Sequence, residues 1–212
     1  MSIESKVLGQ QVAYPTDYCP SILVPVPRSL NREIYDIHTP EELFRGFDTW
    51  HAYEAGFLAR NGLPVCGVLK LVYPANSPCI VESKSLKLYL NSLNMTRLGE
   101  DTPSGIETYL QTVKSDLEQI LQTRVETTFF RHPPEKPYFD FQDYTLLEAT
   151  PGIERETFTE YNENPALLES RTIGRGEIKV CSHLLRSNCK ITKQPDWGSI
   201  YIHIQADCLP DH

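Results

Sequence analysis

At 212 residues and a formal net charge of −8, the chain has room for one large domain or two of roughly 100 residues, and its charge argues against nucleic-acid and anionic-membrane binding. A nucleotide-sized ligand in a locally basic pocket remains compatible with that charge. The 40% hydrophobic content is enough for a packed core, and six cysteines without a CxxC pair fit neither a zinc site nor a small disulfide scaffold.

No secretory pattern opens the chain and no run of about 18 apolar residues occurs, so a cytoplasmic protein with no membrane segment is expected. Pro15 to Arg32 holds Pro20, Pro25 and Pro27 and reads as an extended, irregular lead-in. Thr39 can cap a helix or turn, after which Phe44, Phe47, Trp50, Tyr53 and Phe57 recur at near-helical spacings and are expected to pack into the core. Leu63 to Pro74, rich in valine and leucine between Gly62 and Pro74, reads as a strand.

Ile106, Tyr109, Leu110, Val113, Leu117, Ile120 and Leu121 share one face at spacings of mostly three and four. They predict a helix over 105–123, with Ser104 and Glu107 as its capping box. Arg124 to Arg131 is β-forming, and the proline-containing "HPPEKPYFDFQDY" marks a boundary near residue 135. Two blocks are expected, 1–134 and 135–212. Strands follow from Gly176 and after Asp196, where Ile200, Ile202 and Ile204 alternate with polar residues. The order of strands, helix and strands in two blocks predicts an α+β fold with antiparallel sheet.

Two segments carry chemistry. In "SNCKITKQPDWGSI", Cys189 has Arg186, Lys190 and Lys193 within a few residues, a setting that favours a thiolate. Asp196, seven residues on, can serve as general acid if it is buried against Trp197; the alternative is an ordinary Gln-Pro-Asp-Trp-Gly turn. In "VESKSLKLYLNSLN", Lys84 and Lys87 lie beside Ser83 and Ser85 as candidate phosphate ligands, and Glu82 can accept from an amino-pyrimidinone edge. The alternation of Leu86, Leu88 and Leu90 supports a plainer account, a solvated strand with paired lysines. No metal site is expected. His183 and His203 read as structural, and packing accounts for Cys19, Cys66, Cys79, Cys181 and Cys208.

Together, "ESKSLKLYLNS" and "SNCKITKQPDWGSI" resemble the signature pair of the long, two-module NADPH-dependent 7-cyano-7-deazaguanine reductases, the nitrile reductases of queuosine biosynthesis. "VPRSLNR", "FDTWHAYEAGFLARNGLPV" and "SHLLRSNC" follow the family's order, while residues 99–180 match loosely. The resemblance implies a tunnelling fold in two tandem modules, an antiparallel sheet with helices on one face. It implies reduction of the nitrile of 7-cyano-7-deazaguanine by NADPH, with Cys189 forming a thioimide and Asp196 donating a proton. Val81, Glu82 and Ser83 would line the base pocket, and Ser83 and Lys84 would touch the cofactor. The absence of GxGxxG agrees with a non-Rossmann cofactor site. A homodimer or higher oligomer is implied, with no direct nucleic-acid contact.

After Gln205 the sequence runs into "ADCLPDH" and departs from the family, whose long members continue with a His-Glu pair gripping the base and an Arg- and Gly-containing cofactor segment. The expectation is an incomplete second module with an unpaired strand edge at Ile200 to Ile204. The alternatives to an active reductase are a truncated, impaired relative that needs another chain to complete its site, and a cysteine hydrolase or amide-forming transferase that binds no cofactor at Lys84.

Overall fold

The computed structural model describes residues 15–132, 141–162, 164–168, 174–188 and 194–209. The chain divides into two units, Met1–Lys136 and Pro137–His212.

The first unit opens with a 3-10 turn at Pro20–Ile22, strand β1 (Pro25–Pro27) and two four-residue helices, α1 (Ser29–Arg32) and α2 (Pro40–Leu43). Part of the lead-in expected to be irregular is therefore ordered. Thr39 starts α2 but makes no side-chain cap hydrogen bond.

Strands β2 (Phe47–Leu58) and β3 (Pro64–Pro74) form a hairpin, then β4 (Cys79–Val81) leads into α3 (Ser83–Ser92). Helix α4 (Thr102–Leu121) and β5 (Glu126–Phe130) follow. One antiparallel sheet runs β2-β3-β5, and β1 pairs antiparallel with β4. Gly62 makes the tight hairpin possible: its φ of +88° lies where a Cβ would be strained.

The aromatic series from Phe44 to Phe57 thus belongs largely to a strand rather than a helix. The spacing misleads because Phe44, Phe47 and Tyr53 are exposed and do not share a face with Phe57, and a β-bulge between Ala52 and Ala55 further breaks the alternation. One inserted residue shifts the inward set from Ala55 and Phe57 to Ala52, so the pattern drifts away from two toward three. Phe57 is 1% exposed, whereas Phe47 and Tyr53 are 62% and 72% exposed and take no part in the core.

Val65, Leu69, Leu71 and Tyr73 of β3 face Tyr89 and Leu90 of α3 and Tyr109, Val113, Leu117 and Leu121 of α4 in a single apolar cluster. The α4 stripe is the one its periodicity predicts, but the helix starts three residues earlier. Asp101 is the cap: its carboxylate accepts from the Ser104 amide at 2.9 Å, and the Ser104 hydroxyl accepts from the Asp101 amide at 3.1 Å. Pro103 fits inside the first turn because an amide there has no intrahelical partner to lose.

The second unit holds a three-stranded sheet ordered β6 (Thr145–Leu146), β7 (Gly176–Asn188), β8 (Pro195–Ala206). β7 and β8 are the two strands expected there and pair antiparallel, as the order of elements predicts, and the short β6 is parallel to β7. Phe141 stacks on Tyr201 with centroids 3.8 Å apart, and Lys179 pairs with Asp143 at 2.5 Å. Among the described residues this unit has only 3-10 turns as helix, and β8 is paired on one side only. The fold is α+β with mainly antiparallel sheet and few helices, in keeping with the tunnelling fold.

Candidate active site

The Val81–Lys84 segment sits where β4 turns into α3. The alternating leucines predict a strand there; the structure has a helix, because Leu86, Tyr89 and Leu90 also fall on one helical face and Glu82 supplies the cap. Glu82 has extended backbone at ψ 130°. Its carboxylate accepts from the amides of Lys84 at 3.0 Å and Ser85 at 2.6 Å, two of the donors a helix start leaves open.

Around it the backbone is pinned. The Glu82 amide donates to the Val24 carbonyl at 3.0 Å, the Val24 amide donates to the Ser85 hydroxyl at 3.1 Å, and that hydroxyl donates to the Glu82 carbonyl at 2.8 Å. Val81 is buried, Glu82 half-buried, and Ser83 and Lys84 exposed. Lys87 faces Glu54 at 3.5 Å, so the two lysines do not act as a pair, and Lys84 has no ion pair among the described residues.

Residues that spacing does not reveal brace this junction. The buried Tyr73 hydroxyl accepts from Trp50 Nε1 at 2.9 Å and, at 3.5 Å, from the Val81 amide. Burial pushes the Tyr73 hydroxyl pKa up, so the group stays neutral. Arg28 bonds Asp48, donates from Nε to the Ser77 hydroxyl at 3.1 Å and lies over the Tyr73 ring. Arg28 falls within the "VPRSLNR" stretch, which was its only signal.

In the second unit, Cys189, Lys190 and Lys193 lie outside the described residues. Asn188, which precedes Cys189, pairs with Pro195, and Ser187 lies opposite Asp196. Asp196 is a strand residue rather than a turn residue, and it is exposed, as is Trp197 at 66%. The burial against Trp197 considered for a general acid is absent among the described residues. The Arg186 guanidinium, counted among the cations near the thiol, sits 5.5 Å over the Trp197 ring.

Between Ser182 and Leu185 the β7–β8 register slips by one, so His183 and Leu184 together oppose Ser199. Side chains take up both amides the bulge frees. The His183 amide donates to Glu148 Oε1 at 2.7 Å, and the Leu184 amide donates to the Ser182 hydroxyl at 3.2 Å. That hydroxyl donates to Glu148 Oε1 at 2.9 Å, and His183 Nδ1 bonds the Ser199 hydroxyl at 2.8 Å. Burial pushes the Glu148 carboxyl up, but hydrogen bonds from its own and the His183 amides and from Ser182 outweigh this and hold it below the usual range. His203 pairs with Glu177 at 2.7 Å. No cluster of metal-ligating side chains occurs among the described residues, and no helix there is long and apolar enough to cross a membrane.

Residues 14–129 match the family described as "Nitrile reductase, 7-cyano-7-deazaguanine-reductase N-term". The chain is 37% identical over 209 residues to an NADPH-dependent 7-cyano-7-deazaguanine reductase of Acinetobacter baumannii (strain ACICU), covering 97% of this chain and 72% of that one. It is 38% identical over 201 residues to the enzyme of the same name from Coxiella burnetii (strain Dugway 5J108-111), covering 94% and 69%. A family match over more than half of the chain and a likeness running through both units make the chain a member of the NADPH-dependent 7-cyano-7-deazaguanine reductase family.

Proposed function

We propose that this chain reduces the nitrile of 7-cyano-7-deazaguanine to the aminomethyl group of 7-aminomethyl-7-deazaguanine with NADPH, a step in making the queuosine modification of tRNA. Family membership across nearly the whole chain carries the reading. The geometry of the α3 start supports it.

Ser83 and Lys84 fit a phosphate-bearing cofactor: a hydroxyl and an ammonium, both exposed, stand on the first turn of a ten-residue helix whose dipole favours anions. Val81, Glu82 and Ser83 are assigned to the deazaguanine, with the Glu82 carboxylate accepting from its amino and ring N–H groups.

Cys189 and Asp196 take the catalytic roles. The Cys189 sulfur bonds to the nitrile carbon, one π bond of the C≡N group breaks, and the nitrogen takes a proton from Asp196, leaving a thioimide. Addition turns a poor hydride acceptor into an electrophilic carbon and divides a hard step into easier ones. When bound, NADPH supplies hydride, two equivalents being needed with two protons for each amine formed. Between the two reductions the C–S bond breaks and Cys189 leaves as thiolate, while Asp196 protonates the nitrogen as its charge grows.

The protein acts in the cytoplasm as a homodimer or higher oligomer, without binding nucleic acid or membrane directly. The free side of β8 among the described residues is an edge that a second copy can pair.

The test adds 7-cyano-7-deazaguanine to the purified protein without NADPH and follows intact mass and ultraviolet absorbance. The expected result is a one-to-one adduct, absent from Cys189→Ala, followed by NADPH oxidation on adding cofactor. A folded sample that forms no adduct removes the reading.

A further inference from the structure

The bulge in β7 decides which residue of that strand lies opposite Asp196. With it, Asp196 faces Ser187 and Pro195 faces Asn188; a ladder continued from Ser182–Ile200 without it would place Arg186 opposite Asp196. Side chains alternate along a strand, so a slip of one residue moves each side chain beyond it to the other face. The bulge thus sets the face on which β7 presents its last residues before Cys189.

A bulge leaves amides without ladder partners, and a partner supplied to them favours the bulged register over the regular one. Here Glu148, from the 3-10 turn Leu147–Ala149 after β6, takes the His183 amide directly and holds the Ser182 hydroxyl, which takes the Leu184 amide. The bonds from the Ser182 hydroxyl and the His183 amide converge on one carboxylate oxygen, Oε1.

We propose that Glu148 is a positioning residue of the reductase: by holding the bulge at His183 and Leu184 it fixes the register that places Asp196 to serve the thiol chemistry. The proposal rests on the reading of Cys189 and Asp196 given above. Glu148 touches neither substrate nor cofactor in this account; it acts through β7.

The experiment compares wild type, Glu148→Ala and Glu148→Gln in two reactions of the full chain. Adduct formation with 7-cyano-7-deazaguanine needs thiol and acid in register, whereas alkylation of Cys189 by iodoacetamide, read on the peptide that carries it, needs only the thiol. Glu148→Ala is expected to slow adduct formation at least about 100-fold, because a misplacement of only about 1 Å can cost that much and a register slip moves the strand further, with alkylation unchanged. Glu148→Gln keeps a carbonyl oxygen for the His183 amide and is expected to recover most of the loss.

Hydrogen exchange at the His183 amide, protected in wild type and open in Glu148→Ala, reads the clamp independently of activity. An adduct rate in Glu148→Ala equal to wild type overturns the proposal, as does a His183 amide that stays protected. Parallel loss of adduct and alkylation also overturns it, because that is what a general loosening of the sheet produces. A wild type with no adduct but a Glu148-dependent His183 amide sinks the catalytic reading while leaving the clamp measured.

Discussion

Replacing Glu82 by alanine should weaken the protein before any ligand is added. Its carboxylate closes two amides at the start of α3, at 3.0 and 2.6 Å, and its charge lies against the positive end of the helix. An ordinary N-cap is worth about 1 kcal/mol, and the dipole adds about 0.3–1 kcal/mol, so Glu82→Ala should lose roughly 1.3–2 kcal/mol. Leu86, Tyr89 and Leu90 stay buried against the sheet, so the helix should fray at its start and not melt. For a chain of this length the loss corresponds to a Tm lower by roughly 3–8 °C. Glu82→Gln, which keeps one acceptor and no charge, should fall about midway. Thermal and urea melts of the ligand-free protein measure this, and the stabilisation given by 7-cyano-7-deazaguanine should vanish in the same variant. An unchanged midpoint for Glu82→Ala would refute the assignment of its carboxylate to the helix.

Gly105→Ala tests the packing of α4 on β2. Helix propensity alone favours alanine by about 1 kcal/mol, but its Cβ would lie 2.5 Å from the Phe57 ring and 2.8 Å from the Leu98 carbonyl oxygen. The clash should win, with a net loss of about 1–2 kcal/mol in urea unfolding; a stabilised variant would show that the contact yields freely. His51 tests pH linkage. Burial first, and then Lys70 opposite it in β3, lower its pKa from 6.5, so the unfolded chain binds a proton that the folded chain refuses. Stability should therefore fall as pH drops through 6.5, and the decline between pH 7 and 5 should flatten in His51→Asn; an identical slope in the variant would contradict the assignment.

β3, α4, β7 and β8 were readable because one periodicity dominates each. Val and Leu fill the core face of β3, three-and-four spacing marks α4, and Ile200, Ile202 and Ile204 mark β8. β2 and α3 were misread where two patterns coincide. In β2 the exposed aromatics fall at near-helical spacings while the bulge breaks the alternation, and Leu86 and Leu90 satisfy a strand and a helix alike. What decides α3 is the Glu82 cap and the buried Ser85 hydroxyl, and one partner of both residues is Val24, just ahead of β1 and some 60 residues away. Residue chemistry alone made Glu82, Ser83, Lys84, Cys189 and Asp196 candidates, but the role of Val81, the base contact of Ser83 and the joining of all six into one site came from resemblance, since no periodicity points to them. Glu148 and Arg28 stayed hidden because each works through hydrogen bonds to residues tens of positions distant.

The chain's two tryptophans fall one in each unit, in opposite surroundings. Trp50 is half-buried with its indole N–H given to Tyr73, whereas Trp197 lies open to solvent beneath the Arg186 guanidinium. Trp50 should emit at the blue end of the fluorescence band and Trp197 at the red end. A single unfolding scan then follows both units separately, and loss of the blue component alone reports melting of the first. Because Trp197 adjoins Asp196, a ligand arriving at that hairpin should quench the red component and leave the blue one as an internal standard.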